Sequence, residues 1–243
     1  MIRRSAPAVA AAAVCALLGT GCGSDETLAI IHLGTGQPGS AASEPGLIVL
    51  RFTQAARRGD AGQMWALLSE STHRSLGPGE GSFAHGTAPD LTDSFADFRQ
   101  GQVLLSRALD REWAVGAVTG RFEDDEGNSE PAAYALALRR EGGRWRIELA
   151  GLAMARLRPE PGGSAEDRPE VRAEAQAGDE VERMLLWVDG EAASVPYERT
   201  SPFTGEIDGR LNRRLAGGEH AVVVFAQTRV TAAALAWTFE VGD

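Results

Sequence analysis

Lysine is absent: all 24 basic residues are arginine, set against 34 Asp and Glu, for a formal charge of −10. A chain this poor in positive charge lacks the clustered basic face that neutralises phosphates, which excludes nucleic acid as a partner. Cysteine is nearly absent too, with only Cys15 and Cys22. The four histidines, His32, His73, His85 and His220, are scattered, so no zinc-type ligand spacing arises and no metal is expected. No apolar run reaches the ~20 residues that a spanning helix requires. The H-E-x-x-H, G-x-S-x-G and P-loop patterns are missing as well. What remains is globular composition, 43% hydrophobic over 243 residues, enough for one large or two small domains at roughly 100–150 residues each.

The amino terminus has the order of an export signal. Met1-Ile2-Arg3-Arg4 is a short basic region, Ala6 to Leu18 is apolar or small, and Leu18-Gly19-Thr20-Gly21-Cys22 follows. This junction resembles the lipobox of bacterial lipoproteins, with Thr20 and Gly21 in the two positions before the cysteine and the usual Leu displaced by one. The resemblance implies cleavage after residue 21 and a diacylglyceryl anchor on Cys22. Two acyl chains suffice for stable membrane attachment. Removing Arg3 and Arg4 takes the charge from −10 to −12, which holds the remaining chain away from anionic headgroups.

Residues 22–43 read as a lipidated tether rich in Gly, Ser, Ala and Thr. Gly34-Thr35-Gly36-Gln37-Pro38-Gly39 fits G-x-G-x-x-G, but Pro38 falls where the phosphate-binding helix would run, so a nucleotide site is not expected. From Glu44 the period becomes helical: Ile48, Phe52 and Ala55 form a stripe closed by Gly59, and Asp60 caps a second helix carrying Met64, Leu67 and Leu68. Four strands follow at period two. They are marked by Val103, Leu105 and Leu109; by Trp113, Val115 and Ala117; by Tyr134, Leu136 and Leu138; and by Trp145, Ile147 and Leu149. In the last strand Arg144, Arg146 and Glu148 point the other way.

Phe52-Thr53-Gln54-Ala55-Ala56-Arg57-Arg58-Gly59-Asp60 with Trp65-Ala66-Leu67-Leu68-Ser69 resembles the opening of the nuclear transport factor two-like superfamily. The stretch from Tyr134 to Ile147 looks like its final hairpin. Over residues 44–158 the resemblance implies an α+β cone, helices packed on a curved antiparallel sheet around an apolar pocket. Trp65, Trp113, Tyr134 and Trp145 are the candidate pocket lining. Isomerase and dehydratase members of that superfamily use Asp, Tyr or His inside the cone, which draws attention to Tyr134, Asp93, Asp97, Asp110, His73 and His85. No two of these stand at a spacing that fixes shared geometry, so no catalytic residue is assigned and no cofactor is expected.

Residues 159–169, with Pro159, Pro161 and Pro169, read as a linker. Beyond them, 170–243 carries short strands separated by Gly-rich turns. Val188-Asp189-Gly190, Ser201-Pro202-Phe203 and the run from Leu215 to Ala226 resemble bacterial immunoglobulin-like domains of surface proteins, which implies an all-β immunoglobulin-like sandwich with a structural His220. The expected protein is therefore a membrane-anchored, extracytoplasmic binding or scaffolding module that is not an enzyme and has an envelope protein as partner. The alternative is a small-molecule carrier or an isomerase-type or dehydratase-type enzyme using the cone pocket.

Overall fold

The computed structural model describes residues 44–242 apart from Asp125 and Ala150. The expected signal segment 1–21, Cys22 and the expected tether 22–43 lie outside the described residues.

Helix α1 (Pro45–Arg57) starts at a proline, whose fixed φ suits the first helical position. It buries Ile48, Val49, Phe52, Ala55 and Ala56 on one side. Gly59, at φ 66°, ends it, and the Asp60 carboxylate accepts from the Gln63 amide to open α2 (Ala61–Leu67). Ser69 does the same for α3 (Glu70–Leu76), accepting from Thr72. The short helices α4 (Glu80–His85) and α5 (Thr87–Phe95) complete the helical part.

Thirteen strands follow: β1 (Phe98–Ala108), β2 (Trp113–Glu123), β3 (Ser129–Glu141), β4 (Arg144–Glu148), β5 (Leu152–Arg158), β6 (Ser164–Ala165), β7 (Glu170–Ala177), β8 (Val181–Val188), β9 (Glu191–Ala193), β10 (Tyr197–Ser201), β11 (Thr204–Arg210), β12 (Gly218–Thr228) and β13 (Ala232–Val241). They form three sheets, ordered β1-β2-β3-β4, β10-β11-β7-β5 and β6-β13-β12-β8-β9. Every pairing is antiparallel except the short β13–β6 contact.

Three apolar clusters set the layers. Phe52, Met64, Phe83, Phe95, Leu138 and Ile147 fill the space between the helices and one face of the first sheet. On its other face, Trp113, Val115, Ala117 and Ala135 meet Trp187, Val223, Phe225 and Ala236 of the third sheet. The reverse side of the third sheet packs Val222, Val224, Trp237 and Phe239 against Val171, Ala173 and Ile207 of the second. The stacking order is helices, first sheet, third sheet, second sheet.

This corrects the expected fold class. Over the described residues the chain is mostly β, built from curled antiparallel sheets with five helices, and does not match an α+β cone followed by a separate sandwich. The physical reason lies in β2 and β3. Their alternation suggested one buried face, but both faces are buried: Trp113, Val115 and Ala117 of β2 and Ala133, Ala135 and Ala137 of β3 meet another sheet, while Ala114, Val118 and Leu138 face the helices. Leu152–Arg158, expected to close the first unit, pairs with β7. The stretch expected as a linker is fastened to the sheets: β6 pairs with β13, and the Leu211 and Leu215 amides donate to the Pro169 and Asp167 carbonyls.

Candidate functional site

The four candidate pocket residues do not line one cavity. Trp113, 2% exposed, lies on the face of the first sheet that meets the third, with the Arg139 guanidinium 5.3 Å from its ring. The other three pack on the helix-covered face. Trp65 stacks on His73 at 3.9 Å and 17°, while His73 Nε2 meets the Trp65 carbonyl at 2.9 Å. Trp145 is half-buried beneath Arg140. Tyr134 sits among Phe95, Phe98 and Phe122 at centroid distances of 4.4, 5.1 and 6.2 Å, and its hydroxyl donates to the Ser94 carbonyl. Burial holds this phenol far above its ordinary pKa, with Arg156 pulling weakly the other way. It is a neutral donor on a ring packed against the edge of the core.

The remaining sequence candidates are likewise apart. His85 bonds within its own helix, Nδ1 to the Gly81 carbonyl at 2.7 Å. Asp97 lies 3.9 Å from Arg99. Asp93 is pushed up by burial and then by the charge of Asp90. Asp110 ties the β1–β2 turn together, accepting from the Glu112 and Trp113 amides at 2.8 and 2.7 Å, and pairs with Arg183 of β8 at 2.5 Å. Burial raises its pKa, but those two amides and the guanidinium outweigh burial and hold it below the usual value. His220 spans Asp189 and the Ala216 carbonyl, each at 2.8 Å. Each of these groups is occupied locally or isolated from the rest.

A polar centre does form where the sequence suggested a solvent-facing side chain. Glu148, the last residue of β4, is 2% exposed. Its Oε2 accepts from Ser69 Oγ at 3.1 Å and from Ser71 Oγ, and its Oε1 from Thr72 Oγ1 at 3.3 Å. The backbone locks this group in place: Ser69 N–H donates to the Ile147 carbonyl at 2.8 Å, and Leu149 N–H donates to Thr72 Oγ1 at 2.9 Å. Glu148 and Ser71 line an open cleft of about 350 Å3 whose other walls are Gly151, Gly178, Asp179, Val230 and Thr231. The cleft therefore lies between the end of β4 and the β7–β8 and β12–β13 turns. Strict alternation hid it, because Ile147 and Glu148 are both buried. The available signal was the hydroxyl-rich Ser69-Glu70-Ser71-Thr72 at a helix start.

Among the described residues there is no cluster of three or more His, Cys, Asp or Glu able to hold a metal, and no helix is long and apolar enough to cross a membrane. No protein-family model matches the sequence, and no curated protein matches it. Among solved structures the chain is similar to an endo-β-1,4-mannanase from Thermotoga petrophila, with TM-score 0.31 and 14% identity over 40% of this chain and 21% of that one. It is also similar to a putative calcium/calmodulin-dependent protein kinase II association domain from Xanthomonas campestris, with TM-score 0.28 and 13% identity over 48% of this chain and 92% of that one. The chain spans about a fifth of the mannanase. Likenesses of this size carry no argument about function.

Proposed function

We propose that the chain is a lipid-anchored, extracytoplasmic binding module that engages an envelope protein and carries out no chemistry of its own. One observation carries the non-catalytic part: the space beneath the helices is occupied by Phe52, Met64, Phe83, Phe95 and Leu138, with Tyr134 wedged among three phenylalanines. A receptor or an isomerase needs that space for its ligand. The anchor rests on the leader and the cysteine that closes it, Leu18-Gly19-Thr20-Gly21-Cys22.

The test is metabolic labelling with a palmitate analogue, followed by membrane fractionation of the wild type and Cys22→Ser. The wild type is expected to take up label and sediment with membranes, and the variant to do neither. An unlabelled, soluble wild type would sink the anchor. Native mass spectrometry of the gently purified protein examines the other half. The bare polypeptide mass is expected, and an added mass lost on denaturation would restore the small-molecule reading.

A further inference from the structure

We infer that the cleft beside Glu148 receives an arginine or lysine side chain from the protein partner. The inference rests on the binding role proposed above and is independent of the lipid anchor.

The floor supplies negative charge. Glu148 is buried, and the groups that reach it from Ser69, Ser71 and Thr72 are neutral hydroxyls. Among the described residues no arginine forms an ion pair with it. A carboxylate offers about four lone-pair sites, so three hydroxyls leave it able to accept one more donor. Buried carboxylates are normally matched by a cation, and Asp179 adds a second carboxylate to the lining.

The walls suit an aliphatic stem. Gly151 and Gly178 present only backbone, and Val230, 51% exposed, presents its methyl groups. Long basic side chains lay their methylenes along such apolar surface while the charged head seeks an acid. A hard divalent ion fits poorly, since it asks for six or more oxygen ligands and two carboxylates are present in the cleft.

The surroundings favour a protein as the carrier of that side chain. Phe203 is 52% exposed. The Pro202 and Phe203 carbonyls accept from the Val181 and Ala177 amides, which sets this loop against the turn bearing Gly178 and Asp179. Exposed aromatic side chains are enriched at protein interfaces, and arginine is among the residues that anchor them. The overall charge of −10 draws basic partners toward it.

The test titrates the isotopically labelled full-length protein with acetyl-Gly-Arg-Gly-amide and with its citrulline counterpart, which is uncharged and nearly the same shape. Saturable shifts are expected at the Ser71, Gly151, Gly178 and Asp179 amides with the arginine peptide, and at least tenfold weaker binding of the citrulline peptide. Glu148→Gln should reduce affinity more than tenfold. Asp179→Asn, on an exposed turn, should reduce it severalfold and covers the case in which the buried variant fails to fold. Equal binding of both peptides, shifts spread away from the cleft, no shifts at all, or full affinity in Asp179→Asn and in a folded Glu148→Gln would overturn the inference. Agmatine binding tenfold more tightly than the arginine peptide would overturn the assignment to a protein side chain and point to a small amine. A protein that fails the palmitate experiment can still pass this one, so the two readings fail separately.

Discussion

The backbone oxygen of Pro45 lies 2.6 Å from the point where a Cβ on Gly116 would stand. The first turn of α1 thus rests directly on the second strand of the first sheet. The Val49 side chain, at 2.7 Å from the same point, seals the contact. From the helix side Gly46 meets β1 in the same manner: a Cβ there would stand 2.9 Å from the Leu105 carbonyl oxygen. Helix and sheet approach this closely because Gly116 on the strand and Gly46 on the helix carry no side chain.

Gly116→Ala is therefore expected to lift the start of α1 and to destabilise the fold by about 1–3 kcal/mol, the usual cost of overpacking a filled site. Urea unfolding would show it as a lower midpoint with an unchanged slope. An unchanged midpoint would mean that α1 can shift at no cost.

Phe225 occupies the seam between the first and third sheets with no exposed surface. Phe225→Ala should cost about 3–5 kcal/mol. Because that seam is shared, helices and sheets should melt together in the wild type, with coincident transitions by far-ultraviolet dichroism and tryptophan fluorescence. Two separate transitions would show that the sheets on either side of Phe225 are independent.

Asp110 joins the first sheet to β8 through Arg183, and the sign of its pH effect follows from its shift. The folded carboxyl is held below its unfolded value, so its contribution is present above the unfolded pKa and is lost as pH falls through the folded one. Both partners are more than a third exposed at the side chain, so the ion pair itself is worth less than about 1 kcal/mol. Asp110→Asn should be less stable than wild type at neutral pH, with the gap narrowing as pH falls through the folded carboxyl's pKa. A gap that widens on acidification would contradict this.

Tyr134→Phe removes one 3.3 Å hydrogen bond to the Ser94 carbonyl and keeps the aromatic cluster. The expected loss is at most about 1 kcal/mol, with no change in partner binding. A large binding defect in a folded variant would give the hydroxyl a role that its packing does not suggest.

The helical start and the four strands of the first sheet were legible because their apolar periods are regular. Gly59 and Asp60 end one helix and begin the next by local chemistry alone. The stacking was not legible by the same means. In β12, Val222, Val224 and Ala226 lie along one face. Ala221, Val223 and Phe225 between them are equally buried, against a different sheet. An unbroken apolar run of this kind marks a strand covered on both sides. Trp113 went astray for the related reason that period two assigns alternate faces but does not say what covers each. Glu148 escaped notice because its partners come from Ser69, Ser71 and Thr72, more than seventy residues earlier. No local pattern in the strand announces a carboxylate satisfied from so far away.

The course of β5 bears on how such a chain can evolve. The strand follows the first sheet in sequence and belongs to the second by pairing, while the third sheet closes the back of the first. A gene fragment ending near residue 158 would carry β5 away from β7 and leave an alanine-rich and valine-rich face bare to water. The complementary fragment would inherit an equally sticky surface on β12. Recombination that shuffles portable modules would therefore find no clean cut here, and the lineage is expected to gain and lose these sheets together.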